Sequence, residues 1–341
     1  MRVDHETEAP SSTSDWLPQG RTIDRYQIHE CLGVGGMGVI YSAWDPELER
    51  KLALKLVRVR SSERNSTRAR ARLLREARAL ARLRHPNVVA VHDVGEHAGR
   101  VYVAMEFIAG ETLQRWLLRS PPPPGKQLVD VFLQVGRGLA AAHRAGIVHR
   151  DVKPDNVMIG SDGRVLILDF GIARESYEHA GSNADEHGED EDDEDEEPEP
   201  TERGTEPEPA TGSQLAPLTR AGAVLGTPAY MSPEQHRGQP VDARSDQFSF
   251  CVAMWEALNG EKPFGEGSRQ KLLARMRHGQ LRRFRNRELP RRIAKTLTRG
   301  LAYDPEDRFA RMEELLEQLN PRGASAERKL WRGLAIASFA S

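Results

Sequence analysis

The first third of the chain alternates between short apolar runs and glycine-rich or charged turns, a pattern that predicts β-strands. Five strands are expected, joined mainly by tight turns, over residues 26–32, 39–44, 52–57, 88–94 and 101–107. Between the third and fourth of these, apolar residues recur at helical spacing and predict one helix over 66–83. This part of the chain should therefore fold as a small sheet with a single helix.

After Gly110 the apolar period changes from two residues to about 3.6, the period of a helix. Six segments carry this helical period: 113–118, 128–145, 247–258, 270–278, 290–301 and 311–319. Strands followed by helices predict an α+β fold made of two unlike parts.

Charge is distributed very unevenly along the 341 residues. Hydrophobic residues make up 38% and charged residues 29% of the chain, which argues against both an integral membrane protein and a wholly disordered one. The formal net charge of −2 conceals a separation of sign, because residues 183–210 hold 15 of the 51 acidic side chains and one of the 49 basic ones. The remainder carries 36 acidic and 48 basic side chains, so we expect a basic folded body, near +12, with one acidic segment.

The two cysteines and the leading residues indicate a reducing compartment. Cys31 and Cys251 lie in separate predicted elements and form no disulfide framework, so a cytoplasmic location is expected. Residues 1–22 contain no long apolar run and several acids, which predicts a disordered leader and not a signal peptide.

The tail over 321–341 has two interpretations. A basic cluster at 329–332 precedes nine small or apolar residues that reach Ser341. Nine residues are too few to span a bilayer, which takes about 20. The tail is either a short helical or frayed end, or a juxtamembrane stretch of a chain that continues past Ser341 into a membrane span.

A glycine-rich loop lies between the first two predicted strands. Glycine at 33, 35, 36 and 38 lets the backbone approach a phosphate closely, although a plain hairpin or a dinucleotide loop can show the same spacing. Lys55 follows in the third strand, and a buried cation beside phosphates requires an anionic partner. Glu76, the only acid in 66–83, is the predicted partner of Lys55.

The helix that carries Glu76 leaves alternatives open. Glu76 is surrounded by arginines with which it could instead pair inside its own helix: Arg68, Arg70, Arg72, Arg75, Arg78 and Arg82. The same arginines could form a nucleic-acid surface, but no nucleic-acid-binding motif and no interleaved aromatic residues accompany them. We therefore expect no nucleic-acid partner.

Two further motifs follow the glycine loop. One is His-Arg-Asp-Val-Lys-Pro-Asp-Asn at 149–156, and the other is Asp-Phe-Gly at 169–171, directly after an apolar run at 164–168. In this order and at these separations, the three motifs resemble those of protein kinases. Over residues 26–320 the chain is identified as a member of the eukaryotic-like serine/threonine protein kinases of the bacterial type.

That resemblance implies a fold and a set of catalytic roles. The fold is the bilobal protein kinase fold, with an N-lobe over 23–108, built on a five-stranded antiparallel sheet and one helix, and a mainly helical C-lobe over 109–320. Asp151 would accept or orient the proton of the substrate hydroxyl, with Lys153 and Lys55 as catalytic cations supported by Glu76. The lysine two residues after Asp151 is similar to that of kinases that act on serine and threonine.

The implied small-molecule partners are ATP and Mg²⁺, with Mn²⁺ as an alternative metal. Asn156 and Asp169 would hold the metal ion on the phosphates. The residues expected to border ATP, besides Lys55, are Leu32, Gly33, Val34, Gly35, Gly36, Met37, Gly38, Val39, Ile40, Ala53, Met105, Glu106, Ile108 and Met158.

Residues 226–234 resemble the segment that docks the peptide substrate in protein kinases, which implies protein substrates. Glu234 should form a buried ion pair with Arg308, and Asp246 should brace the catalytic loop from the start of its helix. Thr227 is expected to be a fixed hydrogen-bonding residue beside the catalytic loop.

The segment from Asp169 to Glu234 is 66 residues long, about twice the usual length in the family, because of an acidic tract over 176–212. Its composition predicts disorder. It is either a solvated insert or a polyanion that folds onto the basic body and competes with substrates in a salt-dependent way. Thr219 is the candidate site of activating autophosphorylation, since Ala221 stands where related kinases often carry a second threonine.

The expected function is that of a serine/threonine protein kinase. The alternative from another class is a pseudokinase, a binding module that keeps the fold without the chemistry. Every charged group that phosphoryl transfer requires is present, which favours the enzyme.

Overall fold

The computed structural model describes residues 17–36, 38–57, 63–170, 228–286 and 289–320, and for 63–69 it describes the backbone alone. Several predicted features lie outside these ranges: residues 1–16 of the leader, Met37, Gly171, the acidic tract, Thr219, Thr227 and the tail after residue 320.

The N-terminal part is a six-stranded antiparallel sheet with one helix. Its elements are β1 (Thr22–Ile23), β2 (Tyr26–Gly35), β3 (Gly38–Asp45), β4 (Arg50–Val57), α1 (Glu63–Arg82), β5 (Val91–His97) and β6 (Arg100–Glu106). The strand order is β1-β2-β3-β4-β6-β5. All five predicted strands are present, and α1 buries Leu73, Ala77 and Leu80 as its apolar period requires.

The structure corrects two boundaries of this part. The leader predicted over 1–22 is wrong at its end, because Gly20 donates to the Ile28 carbonyl and the two-residue strand β1 pairs with β2. The strand predicted from residue 88 begins at Val91 instead. Val88 makes only an isolated parallel bridge with Ile167, and the Val89 amide donates to the Ile167 carbonyl, so this stretch pairs with the second part of the fold.

The C-terminal part is mainly helical. Its elements are β7 (Gly110–Thr112), α2 (Leu113–Leu117), α3 (Gly125–Arg144), β8 (Val157–Gly160), β9 (Val165–Ile167), α4 (Pro233–His236), α5 (Ala243–Asn259), α6 (Arg269–Arg277), α7 (Arg291–Gly300) and α8 (Met312–Leu319). All six predicted helices are present. The small sheet β7-β8-β9 and the short helix α4 were not predicted.

Helix α5 lies at the centre of this second part and buries most of its length. Phe250 contacts Phe132 of α3 edge to face, with ring centroids 5.7 Å apart. Asp242 caps the start of α5 by accepting from the Arg244 amide, and Gly260 ends it in the left-handed conformation. The buried helix therefore provides a fixed base for the side chains at its first turn.

Among the described residues, no helix combines the length and the apolar character that crossing a bilayer would require.

Candidate active site

The glycine loop is the closed end of the β2–β3 hairpin. Gly35 pairs with Gly38 across the turn. Gly38 has φ +145°, and a Cβ at this position would overlap the carbonyl oxygen of Leu56 on β4. A Cβ at Gly33 or Gly35 would meet no atom within 4 Å, so their backbone faces open space. The hairpin thus presents bare main chain, which suits close approach to a phosphate.

Lys55 links the sheet to the motif after β9. It lies on β4 opposite Ile40 and Val103, and its side chain is mostly buried. Its Nζ lies 2.9 Å from Oδ1 of Asp169, which has a left-handed backbone with φ +50°. One ion pair therefore joins the two parts of the fold at the base of the glycine hairpin.

The predicted ion pair between Lys55 and Glu76 is not formed. Glu76 instead accepts from Nε of Arg72, 3.1 Å away and one turn earlier on α1. Arg72 is a neighbour of Glu76 wherever the helix sits, whereas Lys55 lies on another element and is already paired with Asp169. The pairing within the helix, left open by the sequence, is the one present.

Two side chains of the catalytic loop converge on the carboxylate of Asp151. Nδ2 of Asn156 lies 2.7 Å from the backbone oxygen of Asp151 and 3.0 Å from its Oδ2. Nζ of Lys153 lies 2.9 Å from the same Oδ2. A 3₁₀ turn over Pro154–Asn156 turns the chain back so that Asn156 reaches Asp151. The Asp151 carboxylate is thus held in one orientation by an amide and an ammonium group.

Asp246, in the first turn of α5, supports the same loop from beneath. Its carboxylate accepts from the amides of His149 (2.7 Å) and Arg150 (2.8 Å) and lies 2.8 Å from Nε2 of His143. Complete burial alone would raise the pKa of Asp246, but the hydrogen bond from His143 and the nearby imidazoles outweigh it and hold this pKa below its ordinary value. The carboxylate therefore stays ionised and accepts all three donors.

Arg150 is held on both of its peptide groups. Its φ is +66°, a left-handed conformation that costs a residue with a side chain about 1–2 kcal/mol. Asp246 accepts from its amide, while Nε2 of Gln235 donates to its carbonyl at 2.8 Å. Gln235 was missed by the sequence analysis, although the capping-box spacing of Ser232 and Gln235 at the start of α4 marks it.

The segment that carries Asp169 is joined to the catalytic loop by hydrogen bonds to backbone atoms. His149 Nε2 lies 2.8 Å from the carbonyl of Leu168, and the Leu168 amide donates to the Asn156 carbonyl. The His149 and Phe170 ring centroids lie 4.7 Å apart. Asp169 is therefore carried by a segment that is fixed against the loop bearing Asp151.

The docking segment contains the predicted ion pair between Glu234 and Arg308. Two parallel hydrogen bonds of 2.8 and 2.9 Å join the guanidinium to the carboxylate, and Ser245 Oγ adds a third at 2.6 Å. Burial alone would raise the pKa of Glu234, yet the hydrogen bond and charge of Arg308 reverse this and lower it. Helix α4 is thereby fixed to the last part of the chain.

Some residues expected to border the nucleotide are packed in the interior near β4, β6 and β8, and the others lie on the β2–β3 hairpin. Ala53, Met105 and Ile108 pack in one apolar cluster, and Met158 lies half-buried on β8. The side chains of Leu32 and Val34 are exposed on β2, next to the glycine turn. Val39 and Ile40 lie opposite Val34 and Gly33, while Gly36 stands in the turn itself.

Glu106 differs from the other expected nucleotide neighbours because its carboxylate is engaged. Arg164, in the β8–β9 hairpin, donates to it at 2.6 Å and also pairs with Asp162. These hydrogen bonds raise the pKa of Arg164. The Glu106 side chain is thus held by Arg164 through Oε1.

The donors available to a metal ion are oxygens. No cluster of three or more His, Cys, Asp or Glu side chains that could hold a metal occurs in the described ranges. Asn156 uses its Nδ2 on Asp151, and no described residue donates to its Oδ1. Amide and carboxylate oxygens, as Asn156 and Asp169 carry them, are the ligand types that a hard divalent cation prefers when phosphate and water oxygens complete its shell.

Comparison with known proteins agrees with this geometry. Residues 26–188 match the protein kinase domain family, and residues 218–319 match the protein tyrosine and serine/threonine kinase family. The serine/threonine-protein kinase PknL of Mycobacterium tuberculosis is 36% identical over 254 residues, 74% of this chain and 54% of PknL. PknB of the same species is 33% identical over 302 residues, 87% of this chain and 42% of PknB.

The chain thus spans about half or less of the length of these relatives. Among solved structures, the PknI kinase domain of M. tuberculosis superposes with a TM-score of 0.62 at 25% identity, covering 90% of this chain and 99% of that domain.

Proposed function

Because the chain belongs to the protein kinase family, among relatives that are serine/threonine kinases, we propose that it transfers the γ-phosphate of ATP to serine and threonine hydroxyls of proteins. The observation that carries this proposal is the convergence of Lys153 and Asn156 on the Asp151 carboxylate, beside an Asp169 held by Lys55. Kinases of this family use ATP together with a divalent metal ion.

Asp151 is the proposed proton acceptor. As the substrate oxygen forms its bond to the γ-phosphorus, the bond between that phosphorus and the leaving oxygen of ADP breaks, and the hydroxyl proton passes to the Asp151 carboxylate. The Nζ of Lys153 lies 2.9 Å from Oδ2 of Asp151, so Lys153 neutralises charge on the transferred group without a large rearrangement. Asn156 keeps the carboxylate aimed at the hydroxyl.

Lys55, Asn156 and Asp169 are proposed to handle the phosphates. When bound, Mg²⁺, with Mn²⁺ as the alternative, supplies positive charge that screens the phosphate oxygens from one another. Asn156 would present its Oδ1 and Asp169 its carboxylate to that ion, and Lys55 would donate to a phosphate. The bare backbone of the β2–β3 turn would cover the phosphate chain.

The adenine and protein sides of the site follow from the same proposal. Ala53, Met105 and Ile108 offer apolar surface for a purine, and the exposed Leu32 on β2 offers further apolar surface beside the glycine turn. The segment that ends in α4 supports a protein substrate, since Gln235 ties it to the catalytic loop.

Further expectations from the sequence remain proposals. They are autophosphorylation at Thr219, a fixed hydrogen-bonding role for Thr227, support of Lys55 by Glu76 in the active state, lobes over 23–108 and 109–320, and a cytoplasmic location.

A phosphate-transfer assay tests the proposal. The purified chain is incubated with radiolabelled ATP, Mg²⁺ and a generic protein substrate, beside its Asp151→Asn and Lys55→Met variants. Removing the proton acceptor should lower kcat by about 10²- to 10⁴-fold. Lys51→Met is the matched control, because Lys51 is a more exposed lysine on the same strand β4, and it should keep full activity.

Two outcomes would contradict the proposal. Equal activity in wild type and Asp151→Asn would remove Asp151 from the chemistry. A wild-type chain that binds ATP without transferring phosphate would instead be the pseudokinase alternative.

A further inference from the structure

The segment around α6 carries a marked excess of positive charge. Residues 259–286 contain eight Lys and Arg and two Glu, a net charge of +6. Helix α6 buries Leu272 and Met276 and turns its remaining side chains outward or to its flanks. This stretch is therefore a strongly basic surface on the helical part of the fold.

Contacts gather several of these cations around one loop, 261–267. The Arg275 guanidinium donates to the carbonyls of Phe264 and Glu266, both at 2.9 Å. The Arg282 amide donates to the Pro263 carbonyl, and the Lys271 side chain lies beside Gly267. Arg285 lies 3.7 Å from Glu261, which also pairs with Arg282. We call Lys271, Arg275, Arg282 and Arg285 the α6 basic surface.

The acids nearby do not neutralise this surface. Glu261 is shared by Arg282 and Arg285, and Glu266 pairs with Lys262. Within the described ranges, the Arg275 side chain forms hydrogen bonds with backbone carbonyls and no ion pair with a carboxylate. Lys271 is exposed and forms no ion pair with any residue in the described ranges.

Helix α6 contacts α4, the helix at the end of the docking segment. Arg269, at the start of α6, donates to the carbonyl of His236 at the end of α4. Lys262 lies 5.4 Å from the ring centroid of Tyr230, in the turn before α4. Gln235 of α4 in turn holds the backbone of Arg150, next to Asp151. The helix that carries Lys271 and Arg275 is therefore attached at its start to α4, and α4 in turn contacts the catalytic loop.

We propose that the α6 basic surface binds an acidic segment of the protein substrate, at a distance from the serine or threonine that is phosphorylated. This inference rests on the proposed kinase activity and names the substrate class of that same site: proteins in which an Asp- and Glu-rich stretch accompanies the acceptor. Arg guanidinium groups bind carboxylates with two parallel hydrogen bonds, which favours this partner.

The local chemistry disfavours nucleic acid and membrane as partners. Bases bind single-strand sites by stacking on exposed aromatic rings, whereas here Phe264 is buried and Phe284 packs edge to face on Trp255. Stable membrane binding generally adds an apolar or lipid anchor to basic residues. None of the large exposed apolar side chains of the described residues lies in 259–286.

A pair of acceptor peptides tests the proposal with the full chain. Both carry the same serine acceptor, and one ends in a run of Asp and Glu where the other ends in Gln and Asn. The readout is the ratio of kcat/KM for the acidic peptide to that for the neutral one. For wild type we expect a ratio of about ten at low salt, falling toward one as salt screens the charges.

Charge reversal assigns the effect to the surface. Lys271→Glu with Arg285→Glu should bring the ratio to about one. Arg291→Glu with Arg292→Glu makes the same change in net charge on exposed residues of α7, and should keep the ratio near ten. The proposal is overturned if the first double variant keeps the preference, or if both double variants lose it equally.

Binding without catalysis separates this inference from the proposed function. Fluorescence anisotropy of the labelled acidic peptide with the Asp151→Asn variant should show binding that Lys271→Glu with Arg285→Glu abolishes. If wild type phosphorylates neither peptide while this binding persists, the kinase proposal fails, and the inference that the α6 basic surface binds acidic segments is retained. If the double variant instead loses affinity for an RNA oligonucleotide or phosphatidylglycerol vesicles and still binds the peptide, the surface has another partner and the inference fails.

Discussion

Two ion pairs expected from the sequence had different outcomes. Glu234 and Arg308, 74 residues apart, form their pair with two short hydrogen bonds, and both side chains are almost fully buried. Glu76 and Lys55 do not pair, and the side chains of Glu76 and Arg72 are 30% and 39% exposed. The difference shows that burial, more than opposite charge, specifies a partner.

The guanidinium donors of Arg308 all have acceptors in the protein interior. Besides Glu234, its guanidinium donates to the carbonyls of Ala302, Arg244 and Tyr303, so its donors are committed inside the protein. Glu76 sits on a water-facing helix among several arginines, where an ion pair contributes only about 0–1 kcal/mol. A change in the position of α1 could therefore exchange its partner at little cost.

Breaking the buried pair should have the largest effect. Arg308→Met leaves the Glu234 carboxylate buried without its cation, and we expect the free energy of unfolding to fall by about 3–5 kcal/mol. Chemical denaturation measures the loss. Arg311→Met is the control, because Arg311 is 74% exposed and its removal should change stability by less than about 0.5 kcal/mol. A similar small change in both variants would contradict the comparison.

Asp246→Asn should have the next largest effect. Two backbone amides and the His143 imidazole lie against this carboxylate, and an asparagine would turn an N–H group toward one of them. We expect a loss of about 1–3 kcal/mol in unfolding free energy and a lower kcat, because Arg150 loses support for its left-handed backbone. Asp242→Asn, at the N-cap of the same helix, should retain activity, since asparagine also caps helices well.

Acid titration sharpens the comparison further. Because the folded-state pKa of Glu234 lies below its ordinary value of 4.5, its ionisation contributes stability above that pH, which is lost as pH falls toward the lowered pKa. Urea denaturation between pH 6 and pH 3 should show this loss in wild type. In the double variant Glu234→Gln with Arg308→Met, the unfolding free energy should depend less steeply on pH. A slope equal to that of wild type would exclude Glu234 as a source of the acid-induced loss of stability.

The exposed pair should give the smallest effect. A double-mutant cycle of Arg72→Gln and Glu76→Gln should yield a coupling of about 0.3–0.5 kcal/mol in unfolding free energy. If Glu76 turns to Lys55 in the active state, Glu76→Gln should lower kcat/KM for ATP while Arg72→Gln leaves it unchanged or raises it. Equal losses in both variants would mean that the pair within the helix is itself required.

Long periodic segments of the fold were predictable, and short ones were not. Helices such as Gly125–Arg144 and Ala243–Asn259 repeat their apolar spacing over several turns. The strands Thr22–Ile23, Gly110–Thr112 and Val165–Ile167 have two or three residues each, too few to show a period of two. Helix Pro233–His236 is a single turn that depends on its cap.

The candidate site likewise contains residues that the sequence could predict and contacts that it could not. Asp151, Asn156 and Asp169 belong to contiguous motifs, and Lys55 follows the glycine loop in the third predicted strand, so the sequence alone could propose all four. The hydrogen bond from Gln235 to the Arg150 carbonyl joins residues 85 positions apart through a backbone atom, so the capping-box spacing marks Gln235 but does not indicate this partner. The pairing of Glu76 depends on where α1 lies relative to the sheet, and helical spacing does not encode that position.

The contact of Gly38 with β4 bears on inhibitor resistance. Even a methyl group at this position would collide with the Leu56 carbonyl, so a substitution there would disrupt the hairpin itself. A compound that rests against the main chain at residue 38 would therefore contact a position at which mutation removes drug sensitivity only by damaging the target.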